Sequence, residues 1–408
     1  MRYIKRDIER EFEAYCHEFP IVLVTGMRQC GKSTMLAHVA AAARKSVTLD
    51  DLQSRALAQD DPELFLQVHQ PPLIIDEVQY APQLFPYLKI YADSHPDETG
   101  AFWLTGSQPF PLMKLAGESL AGRVGILHML PLSQHELYGS GELLHLGFSI
   151  DDLRKRAAEQ TPALVPEVYE RIFQGWMPAV ANGRSSNVDH YYRSYMQTYI
   201  ERDVREMDAG ADILAFSRFM GAVAAQIGQL LNIESLGRDV GIPRAKAQAW
   251  LGILEQSDIV YLVQPYSNNV LSRAVKTPKL YFTDTGLAAW LGRWSSAATL
   301  EAGALSGQIF ENYAMSELRK TLTNTGDRAR LWFYRDRDGR EIDAIVERDG
   351  ALHPIEVKKS ANPQRKDVQA FSVLGQGTLK RGAGMLVCMV QDVGALDASC
   401  LTMPAWGL

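Results

Sequence analysis

A glycine-rich segment near the amino terminus has the residue types and spacing to bind phosphate. The segment GMRQCGKST fits the pattern G-x-x-x-x-G-K-[ST] and stands between an apolar run and a helix-forming stretch, the context that this motif requires. Glycines let the backbone turn its N–H groups toward phosphate oxygens, and the helix N-terminus adds its positive dipole end. The residues predicted to bind the nucleotide are Gly26, Met27, Arg28, Gln29, Cys30, Gly31, Lys32, Ser33 and Thr34.

A carboxylate pair follows the next strongly apolar run, Leu73–Ile75. A nucleotide-hydrolysing loop needs such a carboxylate on a neighbouring strand to hold magnesium. Asp76 is therefore predicted to share a Mg²⁺ ion with Ser33, and Glu77 to polarise the attacking water as general base. Lys32 is expected to reach the β and γ phosphates of ATP. A solvated strand end is the alternative interpretation of the pair.

A third strand, Ala101–Leu104, also ends in polar residues. In a doubly wound sheet, ligands bind outside the carboxyl ends of the strands. Ser107 and Gln108 are accordingly predicted to lie beside the γ-phosphate.

An arginine that neutralises charge developing during phosphoryl transfer is expected as well. Arg28 in the loop and Arg123 after Gly122 are candidates, and Arg123 is included among the nucleotide-binding residues. Arg202 and Arg205 remain open, since a solvated helix face also explains them.

The elements that must position these groups alternate between strands and helices over the first third of the chain. That alternation predicts an α/β fold with a parallel sheet. Helical patterns dominate afterwards, and short strands separated by Asp-Gly turns return near the carboxyl terminus. The predicted domains are a P-loop domain at 1–140, a helical connector at 141–210, a winged-helix-like domain at 211–300 and an α/β domain at 301–408.

The ordered set of motifs resembles that of the AAA-type ATPases of bacteria and archaea. The resemblance covers most of the chain and rests on the segments GMRQCGKST, TLDDLQSRALAQDDPELF, LIIDEVQYAP, FWLTGSQ, SLAGRVGILHMLPLSQHEL and YMQTYIERDV. It implies an AAA-like ATPase module in which Ser107 or Gln108 acts as a γ-phosphate sensor.

The sequence pattern of residues 235–246 predicts a helix, a turn and a second helix that begins at Pro243. Arg244 and Lys246 stand at the start of the second helix, where recognition helices contact DNA. The segment 268–279 carries three basic residues and no acidic one, which is plausible for a wing that touches phosphates. An ordinary helical packing unit is the alternative.

The carboxyl-terminal region contains a second set of residues suited to phosphate chemistry. Asp343 precedes Glu356 by thirteen positions, and Lys358 follows on the same strand face. This D…ExK pattern resembles the restriction-endonuclease-like nucleases, which implies a restriction-endonuclease-like fold for the α/β domain at 301–408. Glu311 matches the helix carboxylate often found upstream in these proteins. Asp343 and Glu356 could hold a second Mg²⁺ or Mn²⁺, with Lys358 steadying the attacking water. A charged edge strand without catalytic function is the alternative.

The composition limits the possible partners and locations. The formal net charge is −6, so any nucleic-acid binding must be local. The four cysteines lack metal-site or disulfide spacing, and we find no signal peptide and no apolar run long enough for a membrane span. A cytoplasmic protein is therefore expected.

Together these patterns predict an ATPase whose nucleotide cycle gates contact with DNA or another nucleic acid, with metal-dependent cleavage at Glu311, Asp343, Glu356 and Lys358 as a further step. The alternative is an ATP-driven switch that binds a protein partner and carries an inert nuclease-like fold. A homo-oligomer is compatible with both hypotheses.

Overall fold

The computed structural model describes residues 3–40, 44–107, 112, 116–185, 187–200, 204–205, 208, 210–267, 275–376 and 379–408. The chain forms two compact units. The first contains Met1–Pro131 and Gln256–Asp258, and the second contains Leu132–Glu255 and Ile259–Leu408. The four predicted domain boundaries stay predictions.

The first unit is built on a five-stranded parallel sheet with the strand order β2-β3-β4-β1-β5. The strands β1 and β4 are buried along their whole length, as expected where helices cover both faces of a sheet. This confirms the predicted parallel α/β architecture. The strands are β1 Ile21–Thr25, β2 Lys45–Thr48, β3 Leu73–Asp76, β4 Phe102–Gly106 and β5 Val124–His128.

The helices of the first unit begin at recognisable sequence signals. Asp51 accepts a hydrogen bond from the Ser54 N–H, and Asp61 caps the next helix ahead of Pro62. These helices pack apolar residues against the sheet. Their bounds are Glu9–Glu18, Lys32–Ala40, Leu52–Asp60, Pro62–Val68 and Leu84–Ser94, with a 3₁₀ turn at Val78–Tyr80.

The second unit starts with helices. They are Gln134–Tyr138, Ile150–Ala158, Val165–Gln174, Pro178–Ala181, Val188–Tyr195 followed by a π-helical turn Met196–Ile200, Ile213–Ala225, Ile233–Val240, Arg244–Gln256, Thr285–Leu291, Ala297–Ala302 and Ser306–Asn324. None of the helices in the described part of the chain has the length and apolar character needed to cross a membrane.

The predicted helix pair around residue 241 is present. The first helix ends at Gly241, whose φ of 80° is the left-handed conformation that glycine adopts readily. The strands β6, Val260–Val263, and β7, Lys279–Phe282, follow as an antiparallel pair. The winged-helix assignment itself stays a prediction.

The prediction of an exposed basic wing is wrong for one of its residues, Lys279. Lys279 is not exposed on a loop but begins β7, with only 1% of its surface accessible. Arg273 lies outside the described residues. Of the other predicted contacts, Arg244 forms an exposed ion pair with Glu234 at 2.7 Å.

A mixed seven-stranded sheet forms the carboxyl-terminal part of the second unit. Its main path runs β13-β14-β12-β10-β9-β8, and β11 pairs with β10. The predicted Asp-Gly turns join β8 to β9 and β9 to β10 as antiparallel neighbours. The strands are β8 Arg330–Arg335, β9 Glu341–Arg348, β10 Ala351–Lys358, β11 Lys380–Arg381, β12 Gly384–Cys388, β13 Gly394–Asp397 and β14 Cys400–Pro404, and 3₁₀ segments lie at Arg365–Gln376 and Ala405–Gly407.

Candidate functional site

The predicted phosphate loop connects β1 to the helix Lys32–Ala40. Gly26 has a φ of 145°, and a Cβ atom there would lie 2.1 Å from the Met129 carbonyl oxygen. Any larger residue would therefore collide with backbone. Gly31 also has a positive φ, 102°, just before the helix begins. The two motif glycines are thus required by the close approach and turning of the chain.

The side chain of Lys32 folds back onto the phosphate loop. Its ammonium donates hydrogen bonds of 2.9 Å to the carbonyl oxygens of Gly26 and Met27, and the residue is 5% exposed. The lysine is therefore oriented along the inside of the loop. Phosphate oxygens entering the loop would compete with these two carbonyls for the ammonium.

The Asp76 carboxylate, at the carboxyl end of β3, is surrounded by hydroxyl groups. Ser33 Oγ donates to Asp76 Oδ1 at 2.6 Å, and Thr105 donates to the same oxygen. Thr48 Oγ1 lies 3.5 Å from Oδ2. The structure therefore brings together Ser33 and Asp76, the two residues predicted to hold Mg²⁺. All these groups are oxygen donors, which is the chemistry that Mg²⁺ prefers.

Glu77 has a left-handed backbone, with φ 56° and ψ 46°. Its Oε2 accepts hydrogen bonds from Gln79 Nε2 at 2.5 Å and from Ser107 Oγ at 3.1 Å. Its backbone N–H donates to Thr105 Oγ1. These contacts fix a half-buried carboxylate beside Asp76. A non-glycine residue with positive φ is uncommon, and such strain is often found at functional sites.

The polar residues at the carboxyl end of β4 and directly after it divide between the two carboxylates. Thr105 contacts Asp76, and Ser107 contacts Glu77. Sequence reasoning placed the polar residues 105–108 beside the γ-phosphate, but it did not pair Thr105 with Asp76 and assigned no role to Gln79. The only signal was position, since Thr105 lies at the end of β4 and Gln79 in the turn that follows β3. Gln108 lies outside the described residues.

Arg123 does not join this group. Its carbonyl oxygen accepts from the Ile21 N–H at the amino end of β1, whereas the loop follows the carboxyl end of that strand. Its guanidinium instead pairs with Asp93 at 2.7 Å. Because the strands are parallel, Arg123 lies at the opposite end of the strands from the loop, and the structure does not bring it together with the other predicted nucleotide-binding residues of this chain.

Arg6 is a residue that sequence reasoning missed. It is 3% exposed and donates to the carbonyl oxygens of Cys30, in the loop, and Leu130, after β5, at 2.8 and 2.7 Å. Cys30 is itself buried, with its sulfur 3.5 Å from the Met129 carbonyl. Arg6 therefore ties the back of the phosphate loop to the neighbouring strand. No motif marks it, since its partners are more than twenty residues away.

The predicted carboxyl-terminal residues also converge. Glu311 lies on the helix Ser306–Asn324, Asp343 on β9, and Glu356 and Lys358 on β10. Asp343 Oδ2 accepts from the Val357 N–H at 2.9 Å, so the two strands are locked in register. Lys358 Nζ donates to Glu356 Oε1 at 2.5 Å. Glu356 Oε2 has no hydrogen-bond partner among the described residues, although it is buried.

A fifth residue, Lys279, enters this cluster from β7. Its ammonium lies 2.8 Å from Glu311 Oε1 and 3.7 Å from Asp343 Oδ1, and it also pairs with Glu341. Tyr281 donates to Glu311 Oε1 at 2.6 Å. In the part of the chain that the structure describes, no group of three or more His, Cys, Asp or Glu is arranged to hold a metal ion. As arranged here, the cluster holds an ammonium group and does not fit a divalent metal.

The cluster changes the acidity of its members. Burial raises the pKa of Glu311 to about 7 and that of Glu356 to about 8, and the negative charge of Asp343 adds to both shifts. Burial alone would lower the pKa of Lys279, but the carboxylates of Glu311, Asp343 and Glu341 outweigh it and raise that pKa above its ordinary value. The lysine is therefore charged at neutral pH.

The parallel sheet and the phosphate loop together define a P-loop nucleotide-binding domain. Comparison with known proteins agrees with this class. Residues 18–138 match the model of the AAA domain family. This region is therefore similar to AAA-type P-loop ATPase domains, and the match supports ATP binding and hydrolysis. Two further regions match families described only as domains of unknown function, DUF8612 at residues 165–298 and DUF4143 at residues 306–406.

Two similar proteins that span most of the chain are named as uncharacterized. Uncharacterized proteins of Mycobacterium tuberculosis and Mycobacterium bovis are each 27% identical over 360 residues, which cover 88% of this chain and 75% of theirs. Among solved structures, a Walker-type ATPase of Pyrococcus abyssi matches with a TM-score of 0.45 and 16% identity, covering 71% of this chain and 96% of its own. RuvB of Thermotoga maritima matches with a TM-score of 0.31 and 17% identity, covering 63% and 88%.

Proposed function

We propose that the protein is a Mg²⁺-dependent ATP hydrolase whose nucleotide cycle gates the contact of its second unit with nucleic acid. The observation that carries the ATPase part is the 2.6 Å hydrogen bond between Ser33 and Asp76. It joins the hydroxyl of the phosphate loop to the strand-end carboxylate, the two groups that hold magnesium in P-loop enzymes. When bound, Mg²⁺ would neutralise charge on the phosphate oxygens.

The side chains around Ser33 and Asp76 have separate proposed roles in binding and hydrolysis. When ATP binds, the ammonium of Lys32 would give up its hydrogen bonds to the two loop carbonyls and contact the β and γ phosphate oxygens instead. Glu77, held by Gln79 and Ser107, would accept a proton from the attacking water. Arg6 keeps the loop backbone in place from behind. An arginine donor is not assigned, and in a homo-oligomer it could come from a neighbouring subunit.

Two variants separate binding from turnover. Lys32→Ala should abolish nucleotide binding measured with a fluorescent ATP analogue, because it removes the only lysine of the loop. Glu77→Gln should bind the analogue normally but lose at least about a hundredfold in turnover, as expected for loss of a general base. Glu63→Gln, an exposed change of the same kind, is the matched control. Normal turnover in Glu77→Gln would refute the assigned base.

The nucleic-acid part of the proposal is supported by the helix pair around Gly241. Arg244 opens the second helix and is exposed, with 66% of its side chain accessible. ATP turnover should rise when single-stranded DNA, duplex DNA or RNA is added, and the rise should weaken with salt because phosphate contacts release counterions. Arg244→Ala should reduce this response, and Arg154→Ala, an exposed arginine on another helix, should not. A rate that ignores all three nucleic acids would contradict the gating hypothesis.

Metal-dependent cleavage by the second unit, the hypothesis drawn from the D…ExK pattern of Glu311, Asp343, Glu356 and Lys358, is disfavoured by the ammonium of Lys279 within this cluster. The hypothesis predicts that plasmid DNA is cut in the presence of Mg²⁺ or Mn²⁺ and that Glu356→Ala stops the cutting. If wild type and variant both leave plasmid and oligonucleotide substrates intact, the nuclease hypothesis fails.

The second candidate function is an ATP-driven switch that binds a protein partner and carries a catalytically inert nuclease-like fold. The contacts of Lys279 favour inertness, since its ammonium lies among the carboxylates that would otherwise bind a metal. The two candidates differ in the turnover experiment above. A protein-binding switch would show an ATPase rate that is indifferent to nucleic acid.

A further inference from the structure

The cation in the carboxyl-terminal cluster comes from the protein itself. Lys279 has 2% of its side chain exposed, and its ammonium contacts Glu311, Asp343 and Glu341. The three carboxylates come from one helix and one strand of the mixed sheet, whereas the lysine comes from the separate two-stranded sheet β6–β7. The ammonium therefore joins elements that are far apart in the sequence.

Charge balance explains why the lysine is held there. Several carboxylates in one poorly hydrated place repel each other, and each needs a cation or a proton to remain buried. A divalent metal could satisfy that need, and so can an ammonium group. In this structure Glu311 Oε1 accepts from both Lys279 and Tyr281, so this oxygen is already engaged by two donors.

The same space cannot hold the ammonium and a metal ion together. Metal–oxygen contacts of Mg²⁺ are about 2.0–2.1 Å. An ion bound to Glu311 Oε1 would have to share this oxygen with the ammonium of Lys279, which is 2.8 Å away, and with the Tyr281 hydroxyl. Two unscreened positive charges so close would repel strongly. On the other side of the cluster, Glu356 Oε1 is occupied by Lys358.

We infer that Lys279 is the resident cation of this cluster and that its ammonium closes the D…ExK residues to Mg²⁺ and Mn²⁺. The cluster then works as a structural ion network that connects β7, the helix Ser306–Asn324 and β9. Removing the charge of Lys279 should open a divalent-metal site that the wild-type chain does not offer. The inference concerns the second unit and does not depend on ATP hydrolysis.

The test measures Mn²⁺ binding to the full-length protein by electron paramagnetic resonance of the free ion. All proteins carry Asp76→Asn, which removes the strand-end carboxylate proposed to bind metal beside the phosphate loop. With Lys279 intact, adding Asp343→Asn should leave Mn²⁺ binding unchanged. Lys279→Met should gain a site that binds Mn²⁺ at least tenfold more tightly than this background, and the further change Asp343→Asn should remove it. Lys279→Arg, which keeps the positive charge, should not gain a Mn²⁺ site.

Two results would overturn the inference. One is Mn²⁺ binding that Asp343→Asn weakens while Lys279 is intact, since the wild-type cluster would then accept metal. The other is a folded Lys279→Met protein without the new site. If Lys279→Met does not fold, Lys279→Gln takes its place, because its amide can still donate to two carboxylates. The comparison made with Lys279 intact decides the question even if neither variant folds.

Discussion

At the scale of single residues, the buried charges of this protein are matched by specific partners. Arg6 donates to two carbonyl oxygens, and Lys279 contacts three carboxylates. Lys320, which is fully buried, pairs with Glu317 at 2.6 Å. Breaking such a pair leaves an uncompensated charge or polar group inside the protein, which is costly. Single substitutions at these positions should therefore have large and distinguishable effects.

The raised pKa of Glu356 predicts a pH dependence of stability. In the folded protein this pKa is about 8, against an ordinary value of 4.5, because of burial and the charge of Asp343. Between these values the folded state binds more protons than the unfolded state, so stability must fall as pH rises. The contribution is fully present below about pH 4.5 and is lost as pH passes through about 8.

The measurement is urea unfolding of wild type and Glu356→Gln from pH 5 to pH 8.5. Glutamine cannot ionise, so the variant should lose less stability than wild type over this range. Asp343→Asn is a useful companion, since it removes the negative charge that adds to the shift. Equal slopes for wild type and Glu356→Gln would show that the carboxyl group does not gain a proton on folding.

Arg6→Met tests whether the arginine supports the phosphate loop. The change leaves the carbonyl oxygens of Cys30 and Leu130 without their donor, at a cost of about 2–4 kcal/mol in unfolding free energy. Nucleotide affinity should fall as well, because the loop backbone loses its brace. Lys5→Met, a neighbouring exposed change, should be nearly neutral in both assays. An unaltered unfolding midpoint for Arg6→Met would contradict the role.

At the scale of elements, one carboxylate organises the junction of three helices in the second unit. Asp284 accepts from the Trp176 N–H at 2.7 Å, the Tyr192 hydroxyl at 2.5 Å and the Leu287 N–H at 2.9 Å. The last of these caps the helix Thr285–Leu291. The approach is so close that a Cβ at Gly286 would lie 2.2 Å from the Tyr192 hydroxyl. The junction is thus held by polar contacts that leave no spare volume.

Asp284→Ala should destabilise the protein by about 3 kcal/mol or more, because it leaves two buried N–H groups without an acceptor. Asp51→Ala is the matched control. It also removes a helix cap, but the cap is exposed, so the loss should be about 1 kcal/mol. Thermal or urea unfolding of both variants checks the difference. Similar losses for the two aspartates would mean that the buried contacts of Asp284 add nothing to its capping role.

At the scale of the whole molecule, the proposed gating requires energetic coupling between nucleotide and nucleic acid. Coupling free energies of this kind are about 1–3 kcal/mol, which corresponds to a 5- to 150-fold change in affinity. Glu77→Gln, held in its ATP-bound state, should therefore differ in DNA affinity from Lys32→Ala by at least about fivefold. Fluorescence anisotropy with a labelled oligonucleotide at fixed salt provides the measurement.

Thermodynamic linkage supplies the control for this prediction. If ATP changes the affinity for DNA, then DNA must change the affinity for ATP by the same factor. The second measurement uses the same Glu77→Gln protein, so that hydrolysis does not disturb the equilibrium. Equal DNA affinities with and without ATP would contradict gating while leaving the ATPase assignment intact.

The sequence alone determined the parts of this protein that depend on contiguous residues. The spacing of Gly26, Gly31 and Lys32, the apolar runs of the five parallel strands and the Asp-Gly turns near the carboxyl terminus all express local backbone preference and hydrophobic period. Asp76 and Glu77 could be found in the same way, because they end a buried strand. The two strand ranges predicted around these residues, Leu73–Ile75 and Ala101–Leu104, lie within about two residues of the observed strands β3 and β4.

The tertiary structure decided which distant groups meet. Thr105 reaches Asp76, and Arg6 reaches Cys30, only because β4 and the amino-terminal segment pack beside the loop. Arg123 lies away from the loop because it precedes its strand and does not follow it. Lys279 looked like part of an exposed basic wing, yet it is buried among carboxylates that follow it in the sequence by 32 to 64 positions. Such encounters depend on the packing of whole elements, which local sequence patterns do not encode.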